Sequence, residues 1–397
     1  MRSRALAFLL LASTAALTPS PALAVKDCRS RLSTGLNSIG STGLSWNFEL
    51  RGSYYGVDGS GYKFPGLGAW LRYELSSAWS FDLEATLKEK IALDYDRPEL
   101  SPVQLKTAAV RYRDPRERFD LTLGRQEVQL ADGLILDEFL DAVQIDWRSG
   151  RIDLRAGAGV LALSAAKESL YCSKCLFFEY RSCWKGFGES AYGDFRTAYI
   201  QASMSFGSGS SAGLLYQKID AAETGYDSDT AGVFARIALP FRWRLSLEGA
   251  IQKQALHDTP ALGYHLDLYR SWRIGGLGTL QVRWQDLFGS SDGSLAFSPT
   301  FGNIHLGDRQ HYSVRQGHTS GIGLKLIPEF YKRMTLSAAY WINGGSAWTD
   351  WTTDEADAGM EWRPFGSDRV RFYLNYARAV TRTGIVHQTA LEIRISF

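Results

Sequence analysis

Ten basic side chains recur at alternate positions within otherwise apolar segments: Arg51, Arg72, Arg111, Arg155, Arg236, Arg244, Arg283, Lys325, Arg371 and Arg394. Acidic residues share their phase, at Glu49, Glu74, Asp82, Glu84, Asp146, Asp153, Glu248, Asp357, Glu361 and Glu392. A period of two places each set on one face of an extended strand. Basic groups ringed around a wet passage attract and desolvate anions, while adjacent carboxylates keep the guanidinium groups extended and apart. The same charges can instead pair across neighbouring strands and form a hydrated wall. Sequence leaves both readings standing.

Two further clusters carry reactive groups. Cys172, Cys175 and Cys183 share one long connecting segment, and Cys28 lies near the start. In an exported chain thiols favour disulfides. One bridge within the segment would leave one of its thiols and Cys28 over; a Cys172-x-x-Cys175 redox pair and a three-thiolate metal site are the alternatives. No lipobox precedes Cys28, and joining it to the distant segment would require the leader to thread the interior. His305, Asp308 and His311 fall together in residues 289–316 and are the candidates for hydrolytic chemistry, but no catalytic signature surrounds them. No CxxCH heme-attachment motif occurs, and no cofactor or metal is expected.

The elements that would position these groups are strands. Asn47, Glu49, Arg51 and Ser53 alternate with Trp46, Phe48 and Leu50, and Asp82, Glu84, Thr86 and Lys88 with Phe81, Leu83, Ala85 and Leu87. The pattern recurs around residues 244 and 371 and through most of the chain. Counting such segments predicts about eighteen strands, an even number within the range of bacterial barrels. Short links at Ser76–Ala78, Asp114–Arg116, Arg148–Gly150, Gly207–Gly209, Pro240–Phe241, Ile274–Gly276, Pro328–Phe330 and Pro364–Gly366 alternate with longer ones near 55–66, 93–102, 128–138, 164–193, 220–228, 255–262, 289–316, 344–354 and 380–385. The nine prolines beyond residue 24 are expected in or beside these links, since proline cannot donate to a ladder. Trp79, Phe119, Trp147, Phe206, Trp243, Trp272, Trp362 and Phe397 gather at the short-link end, as an interfacial girdle would. The link 128–138 carries Leu134, Ile135 and Leu136 between acids, which suits a segment folded into the interior or packed on the rim.

The ends of the chain set the compartment. Arg2 and Arg4, the apolar run Ala5–Leu17 and the small-x-small Ala22-Leu23-Ala24 read as a signal peptide over residues 1–24. Residues 25–42 read as a periplasmic leader and 43–397 as the barrel, with long external loops at 164–193 and 289–316. The whole chain has 44 basic and 42 acidic residues; removing Arg2 and Arg4 leaves 42 against 42. Balanced charge argues against a nucleic-acid partner. Ala390–Phe397 alternates Leu, Ile, Ile and Phe with Glu, Arg and Ser, and a terminal strand of this form resembles the signal read by barrel-assembly machinery. A soluble β-sandwich or β-helix would need a second apolar layer to cover these strands, and no solenoid-type repeat is present.

Two stretches carry a family likeness: Leu123-Gly124-Arg125-Gln126-Glu127 with Ala131-Asp132-Gly133 and Phe139–Ile145, and Phe297–Gly307. Together they resemble the alginate-export family of outer-membrane porins. The resemblance implies an eighteen-stranded barrel, a passive channel with an arginine-lined lumen, and a small polar, anionic solute or saccharide, without implying that alginate is the substrate. It also implies that Arg125 lines the pore. Alternation alone places Arg125 with Leu121 and Leu123 toward lipid, where Arg costs roughly 2–4 kcal/mol at midplane; a bulge at Gly124 turning it inward is the preferred resolution. The expectation is therefore an all-β, transmembrane, antiparallel up-and-down barrel in the outer membrane of a Gram-negative cell. It acts as a channel rather than an enzyme, with outer-membrane lipid, the assembly machinery and a small solute as partners. A sleeve holding a redox partner and a loop-borne hydrolase are the competing functions.

Overall fold

The computed structural model describes residues 37–38, 43–57, 60–92, 98–116, 118–160, 195–207, 209–221, 227–255, 260–290, 305–306, 312–313, 317–329, 331, 333–344, 351–365, 369–381 and 384–397. Alternating side chains produce eighteen long strands: β1 (Leu44–Val57), β2 (Ser60–Glu74), β3 (Trp79–Ala92), β4 (Pro98–Arg113), β5 (Phe119–Gln129), β6 (Asp137–Ser149), β7 (Ile152–Val160), β8 (Phe195–Phe206) and β9 (Ser210–Ala221). The second half holds β10 (Ser228–Ala238), β11 (Arg244–Gln254), β12 (Ala261–Ile274), β13 (Gly278–Gly289), β14 (His318–Pro328), β15 (Met334–Gly344), β16 (Trp351–Trp362), β17 (Val370–Thr381) and β18 (Gly384–Ser396). Each pairs antiparallel with its sequence neighbours, and β1 closes on β18 from Glu49↔Ser396 to Val57↔Gln388. Closure leaves the ladder without a free edge. The Phe397 N–H donates to the Phe48 carbonyl at 2.9 Å and continues the joint by one residue. Asn37–Ser38, within the predicted leader, pairs with Trp46 and Ser45 and extends the β18 line at the same end.

The two faces differ as the alternation requires. Leu50, Leu214, Val233, Leu262 and Ile322 are exposed on the outside, whereas Asn47, Glu49, Asp82, Glu84, Glu248 and Glu392 are buried inside. Among the described residues no helix is long and apolar enough to cross a bilayer, which says nothing about strands. A closed antiparallel ring with apolar side chains outward satisfies every backbone group internally, so its exterior can face hydrocarbon.

The short links gather at one rim, where the predicted girdle is present. Trp79 packs on Tyr112 with ring centroids 4.8 Å apart, and Tyr112 on Phe119 at 5.6 Å. Trp243 meets Trp272 edge-on at 5.6 Å, and the Arg270 guanidinium lies 4.5 Å from the Trp272 ring centroid. The amphipathic rings and the stem of Arg270 suit the boundary between hydrocarbon and headgroups.

Two predicted links are strand. Residues 55–57 and 60–66 belong to β1 and β2, and β4 begins at Pro98 within the predicted 93–102 link. Pro65 and Pro102 therefore lie inside strands, contrary to expectation. The ladder accommodates both. Pairing of β2 with β3 passes from Lys63↔Ile91 to Gly66↔Lys88 without Pro65, and β4 slips register at Pro102, from Thr86↔Gln104 to Lys88↔Ser101. A second slip, at Lys106, places an extra residue in β4 opposite the Glu84–Ala85 step.

Candidate constriction loop and lumen

The β5–β6 link supplies the apolar sequence that looked out of place on a loop tip. The Leu130 N–H donates to the Leu136 carbonyl at 2.9 Å, closing the neck, and the Gly133 N–H donates to the Leu130 carbonyl at 2.9 Å. Residues 130–136 then cross the interior to the wall formed by β8–β11. Ala131 donates its N–H to Gln201 Oε1 at 2.7 Å. Asp132 and Leu134 donate theirs to one oxygen of Glu248, Oε2, at 2.9 and 3.3 Å. Arg236 Nη2 reaches both the Ala131 carbonyl (3.0 Å) and Asp132 Oδ1 (2.8 Å), while the Ser246 hydroxyl donates to Asp132 Oδ2.

Apolar packing supports this polar tip. Leu130, Leu134, Ile135 and Leu136 are buried in one cluster with Tyr199, Leu215, Ile219, Phe234 and Ala250 of the wall, continuing to Ala261, Leu287 and Trp341. Gly232 leaves room for Ile135: a Cβ there would stand 3.0 Å from Ile135 Cδ1. Burial of Leu134, Ile135 and Leu136 at roughly 1.5–3 kcal/mol each makes the apolar contribution larger than any single ion pair. Burial alone would raise the Asp132 carboxyl, but the Arg236 guanidinium, the Ser246 hydroxyl and nearby His265 hold it below its ordinary value. The hydrogen bonds described for the tip fall on β8, β10 and β11. The loop thus narrows the lumen from one side.

The remaining inward charges mostly pair. Asp82 is shared by Arg72 at 2.7 Å and Arg111 at 2.9 Å. Arg155 meets Asp146 at 2.6 Å and also donates to the Gln129 carbonyl at the loop's neck, 2.8 Å away. Arg283 Nε donates to Asp267 at 2.7 Å, and Arg394 pairs with Glu392. Arg371 Nη1 lies 3.5 Å from the Tyr373 hydroxyl. Arg244 is exposed and makes no ion pair among the described residues, while Lys325 is half-buried with a partner of its own. Glu74 and Asp153 are exposed, Glu361 pairs with Arg363, and Asp357 accepts from the Trp341 indole at 2.9 Å. Arg51 stands opposite Arg394 in register; its side chain, like Cys28, Cys172, Cys175, Cys183, Asp308 and His311, lies outside the described residues. His305 lies in a short ladder, opposite Ser313.

Arg125 does not follow the inward-bulge expectation. Gly124 does adopt φ of 109°, and a Cβ there would meet the Ala108 carbonyl oxygen at 2.3 Å. Yet register across β6 runs without a slip: Leu123↔Val143, Gly124↔Ala142, Arg125↔Asp141. Residues directly opposite in a ladder share a face, so the Arg125 backbone keeps the phase of Leu123 and Val143, yet its side chain is buried where theirs are exposed. Its charge is met by Asp141 at 3.4 Å and the Leu105 carbonyl at 2.6 Å, and it is 3% exposed. Sequence reading also missed Asp132, Ser246 and Gln201 as partners in the constriction. Their strand phase or loop position was visible, but the distance they span in sequence hid the contact.

No family model matches the chain, and no curated protein matches it. Solved structures match over nearly its whole length. Pseudomonas aeruginosa OpdL has a TM-score of 0.58 at 15% identity, covering 89% of this chain and 98% of its own. Pseudomonas aeruginosa OccK2 (OpdF), solved in complex with glucuronate, has a TM-score of 0.60 at 13% identity, covering 89% and 96%. Pseudomonas aeruginosa OprD has a TM-score of 0.57 at 13% identity, covering 89% and 95%. These neighbours are outer-membrane porins with eighteen-stranded barrels, and this chain has their fold.

Proposed function

We propose that the protein is an outer-membrane channel for passive passage of small polar, anionic solutes or saccharides. The observation that carries this reading is the loop 130–136, tethered across a charged lumen so that it narrows the passage without sealing β5–β6 to every wall. Basic groups lie mainly toward the short-link half of their strands, including Arg72, Arg111, Arg244, Arg371 and Arg394. At that height two guanidinium groups, Arg72 and Arg111, converge on the single carboxylate of Asp82. The glucuronate bound to OccK2 is a solute of the expected chemistry. The motifs around Gly124-Arg125-Gln126 and Phe297–Gly307 favour an alginate-export-like branch. In this reading residues 1–24 are removed on export, residues 25–42 form the periplasmic leader and the long loops 164–193 and 289–316 face outward. The exterior contacts lipid and Phe397 presents the assembly signal.

Single-channel recording in planar bilayers tests the proposal, with reversal potentials in a salt gradient and glucuronate as blocker. Discrete conductance with anion preference is expected. Absence of conductance from correctly folded barrel, or clear cation preference, overturns it.

A further inference from the structure

At the short-link rim, one guanidinium on the outer face has no polar partner among the described residues. Arg270 stands opposite Val282 of β13, in phase with Trp272 on one side and Leu268 on the other, which faces exposed Trp284. Trp243 lies just past the Arg244↔Tyr269 pair that ends the β11–β12 ladder. The guanidinium carbon is 4.5 Å from the Trp272 ring centroid and 5.4 Å from that of Trp243. Arg270 makes no ion pair or hydrogen bond among the described residues, and its Nε is buried without an acceptor. The Trp243 and Trp272 indole N–H groups donate to no described residue either, whereas those of Trp284, Trp341 and Trp362 do.

No described acid on this face is placed to serve it. The outward acids of β10–β14 and their links, Asp227, Asp229 and Asp286, sit at the long-link end. Asp286 comes nearest: it stands opposite Leu266, four positions from Arg270 or roughly 13 Å at about 3.3 Å per residue, and it pairs with His318. At the turn, Glu329 is engaged by Arg273 at 3.2 Å, and exposed Arg242 adds a further positive charge. The indole faces attract the cation but are poor acceptors for the N–H groups in its plane. A guanidinium at the edge of hydrocarbon therefore draws its acceptor from outside the chain.

We infer that Arg270, flanked by Trp243 and Trp272, is a site for the phosphodiester of a glycerophospholipid in the leaflet at the short-link rim. The phosphodiester supplies what the side chain lacks: a negative charge and paired acceptor oxygens that match the guanidinium fork. Both indole N–H groups can donate to the same headgroup. Leu266, Leu268, Val282 and Leu324 continue the face toward the middle of the barrel and give the acyl chains an apolar track, which a free phosphate would not use. The inference rests on the outer-membrane placement but not on solute passage, because these residues face away from the lumen.

The test uses the full-length barrel in detergent, titrated with phosphatidylglycerol, diacylglycerol of the same acyl chains or inorganic phosphate, and read by native mass spectrometry. Wild type should bind phosphatidylglycerol in preference to diacylglycerol. R270Q should bind it roughly tenfold more weakly, the loss of one charge-assisted hydrogen bond at about 1.4 kcal/mol per tenfold. R270K keeps the charge without the planar fork and should fall between the two. R378Q, exposed at the long-link end of β17, serves as the control and should bind as wild type. Heat-modifiable migration verifies folding, and single-channel conductance should be unchanged in all variants. Equal binding of phosphatidylglycerol by wild type and R270Q, an equal loss in R378Q, equal binding of diacylglycerol, or full competition by inorganic phosphate overturns the inference. Loss of conductance in wild type would instead count against the channel reading alone.

Discussion

Asp132→Ala separates the two kinds of anchoring that hold the constriction loop. The substitution removes the carboxylate that receives Arg236 at 2.8 Å and the Ser246 hydroxyl. Charge-assisted hydrogen bonds contribute about 1.5–3 kcal/mol, and the half-exposed guanidinium puts this pair toward the lower end. Two backbone bonds to Glu248 and the one to Gln201 do not depend on that side chain. The apolar cluster also remains, and three side chains at roughly 1.5–3 kcal/mol each sum to roughly 5–9 kcal/mol. A loss of ~2 kcal/mol from that total raises the displaced population about 25-fold but leaves it in the minority. Single-channel traces of D132A should therefore keep the wild-type main conductance, with more frequent brief excursions to a larger one. A variant in which residues 131–135 are replaced by a short glycine-serine link should show the larger conductance continuously. If D132A alone matched that variant, the apolar packing would not be holding the loop and the reasoning would fail.

The same site has a pH signature. The folded Asp132 carboxyl is depressed, so its contribution is intact above the unfolded value of about 3.9 and is lost as pH falls through the lower folded value. Recordings should grow noisier as pH falls through that lowered value, and this acid-induced noise should be missing from D132A; the same acid-induced noise in D132A would contradict the assignment. Asp82→Asn leaves Arg72 and Arg111 without their shared acid, and the reversal potential should shift further toward anions. Arg125→Ala removes the ion pair with Asp141 and the bond to the Leu105 carbonyl, so it should lower resistance to denaturant by about 1.5–3 kcal/mol, read as a shift of the unfolding midpoint. Gly124→Ala forces a side chain into positive φ against the Ala108 carbonyl, and a loss of about 1–3 kcal/mol should show in the unfolding midpoint.

Much of the barrel was legible because period-two alternation is a local property. Strand β3, Trp79–Ala92, contains the whole alternating run Phe81–Lys88 read from phase alone, and the short-link girdle followed from the recurrence of Trp and Phe. Phase gives the face but not the partner, the height or the coverage. That is why the arginines could not be divided in advance between a basic ring and a paired wall. Composition of the links misled at residues 55–57, 60–66 and 98–102, where Gly, Pro and charged residues belong to strands with skipped or slipped pairs. The destination of 130–136 depended on Glu248 and Arg236, more than 100 positions away, so only its apolar content hinted at an interior fate.

The joint between β1 and β18 has a consequence for biogenesis. Glu49 and Ser396, partners there, are separated by 396 − 49 = 347 positions. Until the last strand arrives, both raw margins of the growing sheet offer unmatched amide and carbonyl rows to any other extended chain. Pairing between such distant partners carries the largest loop-closure cost in the ladder, so the seam is expected to close late and its bare rows are the sheet's chief aggregation liability until then.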